Sequence, residues 1–275
     1  MQRRMVRFTS VLILAFDGAA ARVYADDKPL PDVASVVAKY NARDQGEHVR
    51  RILTITQRSW RGRERVRQAL SCRKYYGTDK RTAFFFLSPA SVEGTGFLTH
   101  DYADPNKEDD QWLYLPAARK VRRINAGDRG DFFVGTDFTY EDIKKETRLS
   151  TEDLSFELIG TELLNGHQCF KVEATPVSKR ISRELGYARA VHWLDAQILI
   201  AHKSQFLDAD GTVLRTIFKS EIAQIDGIWT AQRVVAKNER SGHSTEFRFT
   251  EIDYEAPVED WMFTKETLVR GPRRH

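Results

Sequence analysis

Asp137 and Asp142 bracket Phe138 and Tyr140, and paired carboxylates at that spacing are able to divide general acid and general base work between them. Thr136 and Asp137 are also good N-cap residues, and capping a short helix is the plainer role for this group. A second acidic group, Asp104, Glu108, Asp109 and Asp110, surrounds Pro105 and Asn106 and reads as a solvated loop ahead of a strand. The 7 histidines form no His-x-x-x-His pair and have no Cys-x-x-Cys companion, so no structural zinc site is expected. His192 and His202 fall on candidate neighbouring strands, where two polar residues on a sheet are a plainer account than a metal contact. There is no Gly-x-Ser-x-Gly elbow, no phosphate-binding glycine loop and no Gly-x-Gly-x-x-Gly after a strand. With no nucleophile, base and orienting group in a recognisable setting, no enzyme, no cofactor and no metal is expected.

What the residues do supply is apolar surface with charge beside it. Trp112, Tyr114, Phe132, Phe133, Phe138 and Tyr140 are the candidates to line or cover a site for an apolar ligand. Each methylene of a lipid tail buried there contributes about 0.8 kcal/mol. Arg122 and Arg123 are the candidates to meet an acidic head group or an anionic partner surface. Arginine is also dense from Arg58 to Arg73, where alternation along a strand assigns it to the watered face.

At the start of the chain, Arg3, Arg4 and Arg7 precede an apolar run from Phe8 to Phe16, and small residues follow up to Ala25. This order reads as a secretory signal peptide over residues 1–25, cleaved near Ala25, and the expected location is the periplasm. The apolar run is about half of the ~20 residues a spanning helix needs. The 43 Lys and Arg against 39 Asp and Glu fall to 39 and 38 once that segment is removed, because it holds four arginines and one aspartate. A nearly neutral remainder makes a poor footprint for phosphates, so nucleic acid is not expected. Residues 26–275 are long enough for one large domain with an unstapled core. Cys72 shares a face with Val66 and Leu70, whereas Cys169 falls with Lys171 and Glu173, so one thiol points inward, the other outward, and no disulfide is expected.

These residues need a scaffold, and the patterning supplies one. Pro31 and Asp32 precede Val33, Val36, Val37 and Tyr40, the stripe of one amphipathic helix with Gly46 as its expected stop. After it, alternation of period two predicts strands near His48 to Ser59, Arg63 to Tyr75, Arg81 to Leu87, Gly96 to Tyr102, Gln111 to Ala117 and Lys120 to Ile124. A second series runs near Leu154 to Leu163, Gln168 to Thr175, Ala188 to Asp195, Leu199 to Leu207, Val213 to Ser220, Trp229 to Lys237 and Thr245 to Tyr254. The Asn165-Gly166 turn is expected to be a three-residue loop bulged at Gly166, which sets Leu158 opposite Ala174. Between Ile124 and Ser150 alternation fails, and an aromatic-rich loop or short helical segment is expected. The fold class is therefore mainly β, one large antiparallel sheet, with the leading helix covering an edge.

Three stretches together resemble one family. They are Gly94 to Tyr102 (GTGFLTHDY), Asp110 to Pro116 (DQWLYLP) leading to Val121-Arg122-Arg123-Ile124, and Phe133 to Asp142 (FVGTDFTYED). Their order and spacing, with the later Asp226 to Thr230 and Phe263-Thr264, are similar to the outer-membrane lipoprotein-sorting proteins of the LolA-like superfamily. The resemblance implies an incomplete β-barrel: a strongly curved antiparallel sheet with covering helices that encloses an apolar cavity. It also implies a carrier for lipid or lipoprotein acyl chains, serving an inner-membrane transporter, and the chain is expected to be a monomer. An envelope sensor or adaptor using the same cavity, and a lipid hydrolase, are the alternatives. No match is evident for the arginine that latches the lid of the true lipoprotein carrier.

Overall fold

The computed structural model describes residues 30–104, 106–146 and 148–272, so the signal-peptide reading lies outside the described residues. Asp32 accepts a hydrogen bond from the Ser35 N–H at 3.0 Å and starts α1 (Val33–Ala42), whose Val36, Val37 and Tyr40 are buried. The helix ends at Ala42 with Arg43 as its cap, ahead of the expected stop at Gly46.

Thirteen strands follow among the described residues. β1 (His48–Arg58), β2 (Glu64–Tyr76), β3 (Asp79–Ser88), β4 (Gly96–Asp101), β5 (Asp110–Leu115) and β6 (Lys120–Arg123) form the first run. β7 (Leu154–Leu164), β8 (His167–Pro176), β9 (Arg189–Asp195), β10 (Ala201–Leu207), β11 (Val213–Ile225), β12 (Ile228–Asn238) and β13 (Ser244–Asp253) form the second. All belong to one antiparallel sheet in the order β6-β5-β4-β3-β2-β1-β13-β12-β11-β10-β9-β8-β7. The first run steps outward from the centre and the second returns from the far edge, so that β13 pairs with β1. The ends, β6 and β7, do not pair, which leaves the curved sheet an incomplete barrel. β6 is only Lys-Val-Arg-Arg and wholly exposed, the short, charged edge that discourages further strand addition.

Among the described residues, three apolar clusters divide the interior. Inside the curve, Leu53, Phe84, Phe97, Ile217 and Phe247 pack against Phe133, Phe138, Tyr140 and Ile143 of the segment after β6, which carries α2 (Tyr140–Lys145). α3 (Lys179–Leu185) adds Ile181 and Leu185 to the same cluster. On the opposite face, Leu70, Cys72, Phe85, Leu98 and Trp112 pack under Met262, Phe263 and Leu268, the last from α4 (Lys265–Arg270). α1 lies on a third cluster with Val172, Leu194 and Ala201, beside the edge strand β7.

Several local expectations are corrected. The β7–β8 turn has two residues, Asn165 and Gly166, both with positive φ (51° and 85°), because that conformation matches the twist of paired strands. The bulge lies upstream, between Leu158 and Gly160, and sets Leu158 against Val172 rather than Ala174. The arginine-bearing face of β2 is not simply watered, since Arg73 is 2% exposed. The C-terminal segment covers the other face of β2, which frees the Arg73 side to point into the curve. Cys169 is buried like Cys72, and both are free thiols. The cap of α2 is Thr139 in a reciprocal capping box with Asp142, not Thr136 or Asp137.

Candidate functional site

The curve of the sheet holds a cavity of about 180 Å³. Its sheet wall is apolar, with Phe84, Phe206, Ile217, Val234, Phe247 and Phe249. The alternation that makes each strand amphipathic aims these side chains to one side. Its cover comes from the long connection between β6 and β7 and from α3, which contribute Phe138, Ile143 and Leu185, with Leu154 at the start of β7 beside them. Phe138 stacks on Phe247 with ring centroids 4.1 Å apart, which ties the cover to the sheet.

One side of the cavity is charged. Glu146, the C-cap of α2, receives the Arg51 guanidinium at 2.6 Å and lies 3.6 Å from Arg73. Burial works against the Glu146 carboxylate, but Arg51, Arg73 and Lys80 outweigh it and hold its pKa well below the usual range. Lys80 is fully buried and donates to the carbonyls of Lys144 (2.5 Å) and Lys145 (3.2 Å), the end of α2 where a cation is favoured. Burial lowers its pKa to about 8, partly offset by Asp101 at 3.4 Å. Asp101 also binds Lys145 at 2.8 Å; burial opposes its ionisation, yet Lys80 and Lys145 bring its pKa down to about 2. Lys144 reaches Asp109 at 2.6 Å, and Arg215 of β11 grips Asp142 through both guanidinium nitrogens. α2 and its cap are therefore fastened to β1, β4 and β11 by ion pairs, and to β3 by the hydrogen bonds of Lys80, rather than by apolar packing alone.

His192 of β9 lines the cavity with Nδ1 2.8 Å from Ser204 Oγ, while its Nε2 is buried without a hydrogen-bond partner. Burial, helped by Lys219, lowers its pKa to about 4, so a neutral imidazole faces the hollow. The arrangement suits an amphiphile: apolar wall for a tail, fixed charges and one open imidazole nitrogen for a polar end.

Of the residues singled out from sequence, Phe138 lines the cavity. Phe133 and Tyr140 are core, packed on Phe97 with centroids 5.1 and 5.6 Å away. Phe132 is 46% exposed on the outside of the same segment. Trp112 and Tyr114 belong to the cluster on the opposite face, where the Lys265 ammonium sits 4.2 Å from the Trp112 ring. The period of two explains this, because Leu113 takes the inward position between them. Arg122 and Arg123 lie on the exposed edge strand and pair with Asp128 (3.2 Å) and Asp110 (3.0 Å), away from the cavity. The structure thus does not bring these eight residues into one site.

The charged residues beside the cavity were missed by sequence reasoning. Their signal was present: Arg51 falls in step with Val49, Leu53 and Ile55, and Lys80 with Thr82, Phe84 and Phe86, all buried. A long cation on an apolar stripe implies a buried partner.

No curated protein sequence matches the chain. A family model described only as uncharacterized protein-like matches residues 78–270. Among solved structures, a domain from Vibrio parahaemolyticus named for outer membrane lipoprotein sorting is 28% identical with a TM-score of 0.77, covering 86% of this chain and 97% of that one. A DUF1329 family protein from Desulfovibrio piger is 25% identical with a TM-score of 0.78, covering 85% and 96%. A LolA superfamily protein from Nitrosomonas europaea, 16% identical with a TM-score of 0.64 over 86% and 99%, shares the fold. With its incomplete barrel and covered cavity, the chain shares the fold of the LolA superfamily protein, is similar to the lipoprotein-sorting and DUF1329 structures, and belongs to the family whose model, described as uncharacterized protein-like, matches it over residues 78–270.

Proposed function

We propose that the protein is a periplasmic carrier or binding protein that holds the acyl chains of a lipid or lipoprotein in the cavity under the sheet. The observation that carries this reading is the hollow itself, walled by Phe84, Phe206, Ile217, Val234, Phe247 and Phe249 and covered by a segment held through ion pairs. An apolar cavity of roughly 150 Å³ admits a benzene-sized guest. At about 180 Å³ the present hollow takes a short stretch of tail, and a longer chain enters only as α2 moves outward. Each further methylene then contributes about 0.8 kcal/mol towards that movement. Delivery by, or to, an inner-membrane transporter is part of the same proposal and fits the signal-peptide reading of residues 1–25.

The test is organic extraction of protein purified from the periplasm, followed by mass spectrometry, together with displacement of a fluorescent fatty acid. Lipid is expected at up to one molecule per chain, and Ile217→Trp, which fills the cavity, is expected to abolish it while the fold is retained. Extracts free of lipid, combined with no saturable fatty-acid binding, would overturn the proposal.

A further inference from the structure

His167, Asp195 and His202 come from three neighbouring strands, β8, β9 and β10, with His167 28 residues before Asp195 and His202 seven after it. His167 Nδ1 lies 3.0 Å and His202 Nε2 2.9 Å from the same oxygen, Asp195 Oδ2, and one donor atom from each residue falls within 4.8 Å of the others. The two imidazoles stack with centroids 4.3 Å apart. Alternation places Asp195 on the face of the sheet opposite the cavity, since His192, three residues earlier in β9, lines the cavity and shares its face with Leu194.

Three separate backbone devices aim these side chains at one point. The turn at Asn165-Gly166 delivers His167 as the first residue of β8. Asp195 closes β9, and its other oxygen, Oδ1, accepts the backbone N–H groups of Gln197 (2.8 Å) and Ile198 (3.0 Å). That anchoring orients the carboxylate so that Oδ2 faces the two imidazoles. His202 is the extra residue of a bulge between Ala201 and Lys203, and a bulge of this kind re-aims a side chain. The chain between them turns through Leu199 at φ +54°, a conformation that a branched residue adopts only under constraint.

We infer that His167 Nδ1, His202 Nε2 and Asp195 Oδ2 form a binding site for one divalent ion of the zinc class, distinct from the lipid cavity. Two imidazoles and one carboxylate are the donor set that zinc and its neighbours prefer over magnesium or calcium, whose ligands are mostly oxygen. On binding, the ion takes the place of the two hydrogen bonds to Oδ2, and each imidazole moves its proton to its other ring nitrogen. The Oδ1 bonds to Gln197 and Ile198 become the outer support that metal-binding carboxylates require. Access is open, because the His167 side chain is 49% exposed while Asp195 and His202 are 4% and 10% exposed. Three protein donors leave a fourth position for water or for a donor from another molecule.

The test uses the full purified chain, stripped with a chelator and titrated with Zn²⁺ by calorimetry, with bound metal counted by elemental analysis. One Zn²⁺ per chain is expected. His167→Ala, whose half-exposed ring can be removed without opening the core, is expected to weaken binding by about tenfold or more, at least the loss that an outer partner alone causes in metal sites. His202→Ala is expected to do the same, with thermal melting used to confirm that both variants fold. Absence of stoichiometric binding to the wild type, or equal affinity in His167→Ala, would overturn the inference. Fatty-acid binding is read in parallel, and its loss or retention bears on the carrier reading alone.

Discussion

Arg51 in β1 and Glu146 at the end of α2, 95 residues apart, meet at 2.6 Å beside the cavity. The contact joins the inner wall to its cover, and Arg73, at 3.6 Å from the same carboxylate, supports it from β2. The two arginines thus tie β1 and β2 to the end of α2, which covers the cavity.

Arg51→Met leaves Glu146 with weaker partners. Breaking a buried pair from one side costs about 3–5 kcal/mol, and a smaller loss is expected here because Arg73 and Lys80 remain. Adding Glu146→Gln should recover part of it. Urea denaturation of the two singles and the double variant measures the coupling; additivity within about 0.5 kcal/mol would mean that the pair does not act as a latch.

Acid acts on His192 before it acts on the carboxylates. Its pKa is lowered from 6.5 to about 4, so the folded state binds fewer protons than the unfolded state in that window. The stability it supports is complete above pH 6.5 and is lost as pH falls towards 4, by up to about 1.4 kcal/mol per pH unit. Burial lowers His100 in the same direction. Glu146 and Asp101, whose pKa values are depressed, contribute stability above the ordinary carboxylate range that is lost only below it. Denaturation at pH 7, 6 and 5 should therefore show a falling stability whose slope is reduced in His192→Gln. An unchanged slope would assign the acid response to other groups.

Phe132 and Phe133 are neighbours with opposite fates. Phe133 is wholly buried and Phe132 is 46% exposed. Phe133→Ser is expected to cost at least the roughly 3–5 kcal/mol of a buried Phe→Ala change, and Phe132→Ser well under half of that. Thermal melts of the two single variants separate them; similar losses would place both rings in the core.

Gly130 is needed for close approach. A Cβ there would lie 2.6 Å from the Glu184 carbonyl oxygen and 2.8 Å from the Leu185 carbonyl carbon, backbone atoms of α3 that cannot swing aside. Gly130→Ala should push the cover segment off α3 and destabilise by about 1–3 kcal/mol. Gly127→Ala, with nothing within 4 Å, is the control and should be nearly neutral. Equal melting temperatures for the two would show that the packing is looser than described.

Strands and turns were legible because they depend on neighbours in the chain. Period-two alternation located the strands, and Asn165-Gly166 marked a hairpin whose bulge nevertheless sits upstream. The leading helix was readable from four apolar residues at helical spacing. The family resemblance supplied the curvature, which alternation alone does not specify.

Which face of each strand is inside was less legible. Alternation divides residues into two sets without saying what will cover each set, and here the chain covers both. The C-terminal segment claims Trp112, while α2 draws Arg51, Arg73 and Lys80 inward. Partners such as Arg51 with Glu146, or His167 with Asp195 and His202, are made neighbours by strand pairing and chain return, not by spacing along the chain. Local periodicity carried the elements; long-range pairing, the bulge at His202 and the charge held against α2 were settled only when the whole sheet curved round its contents.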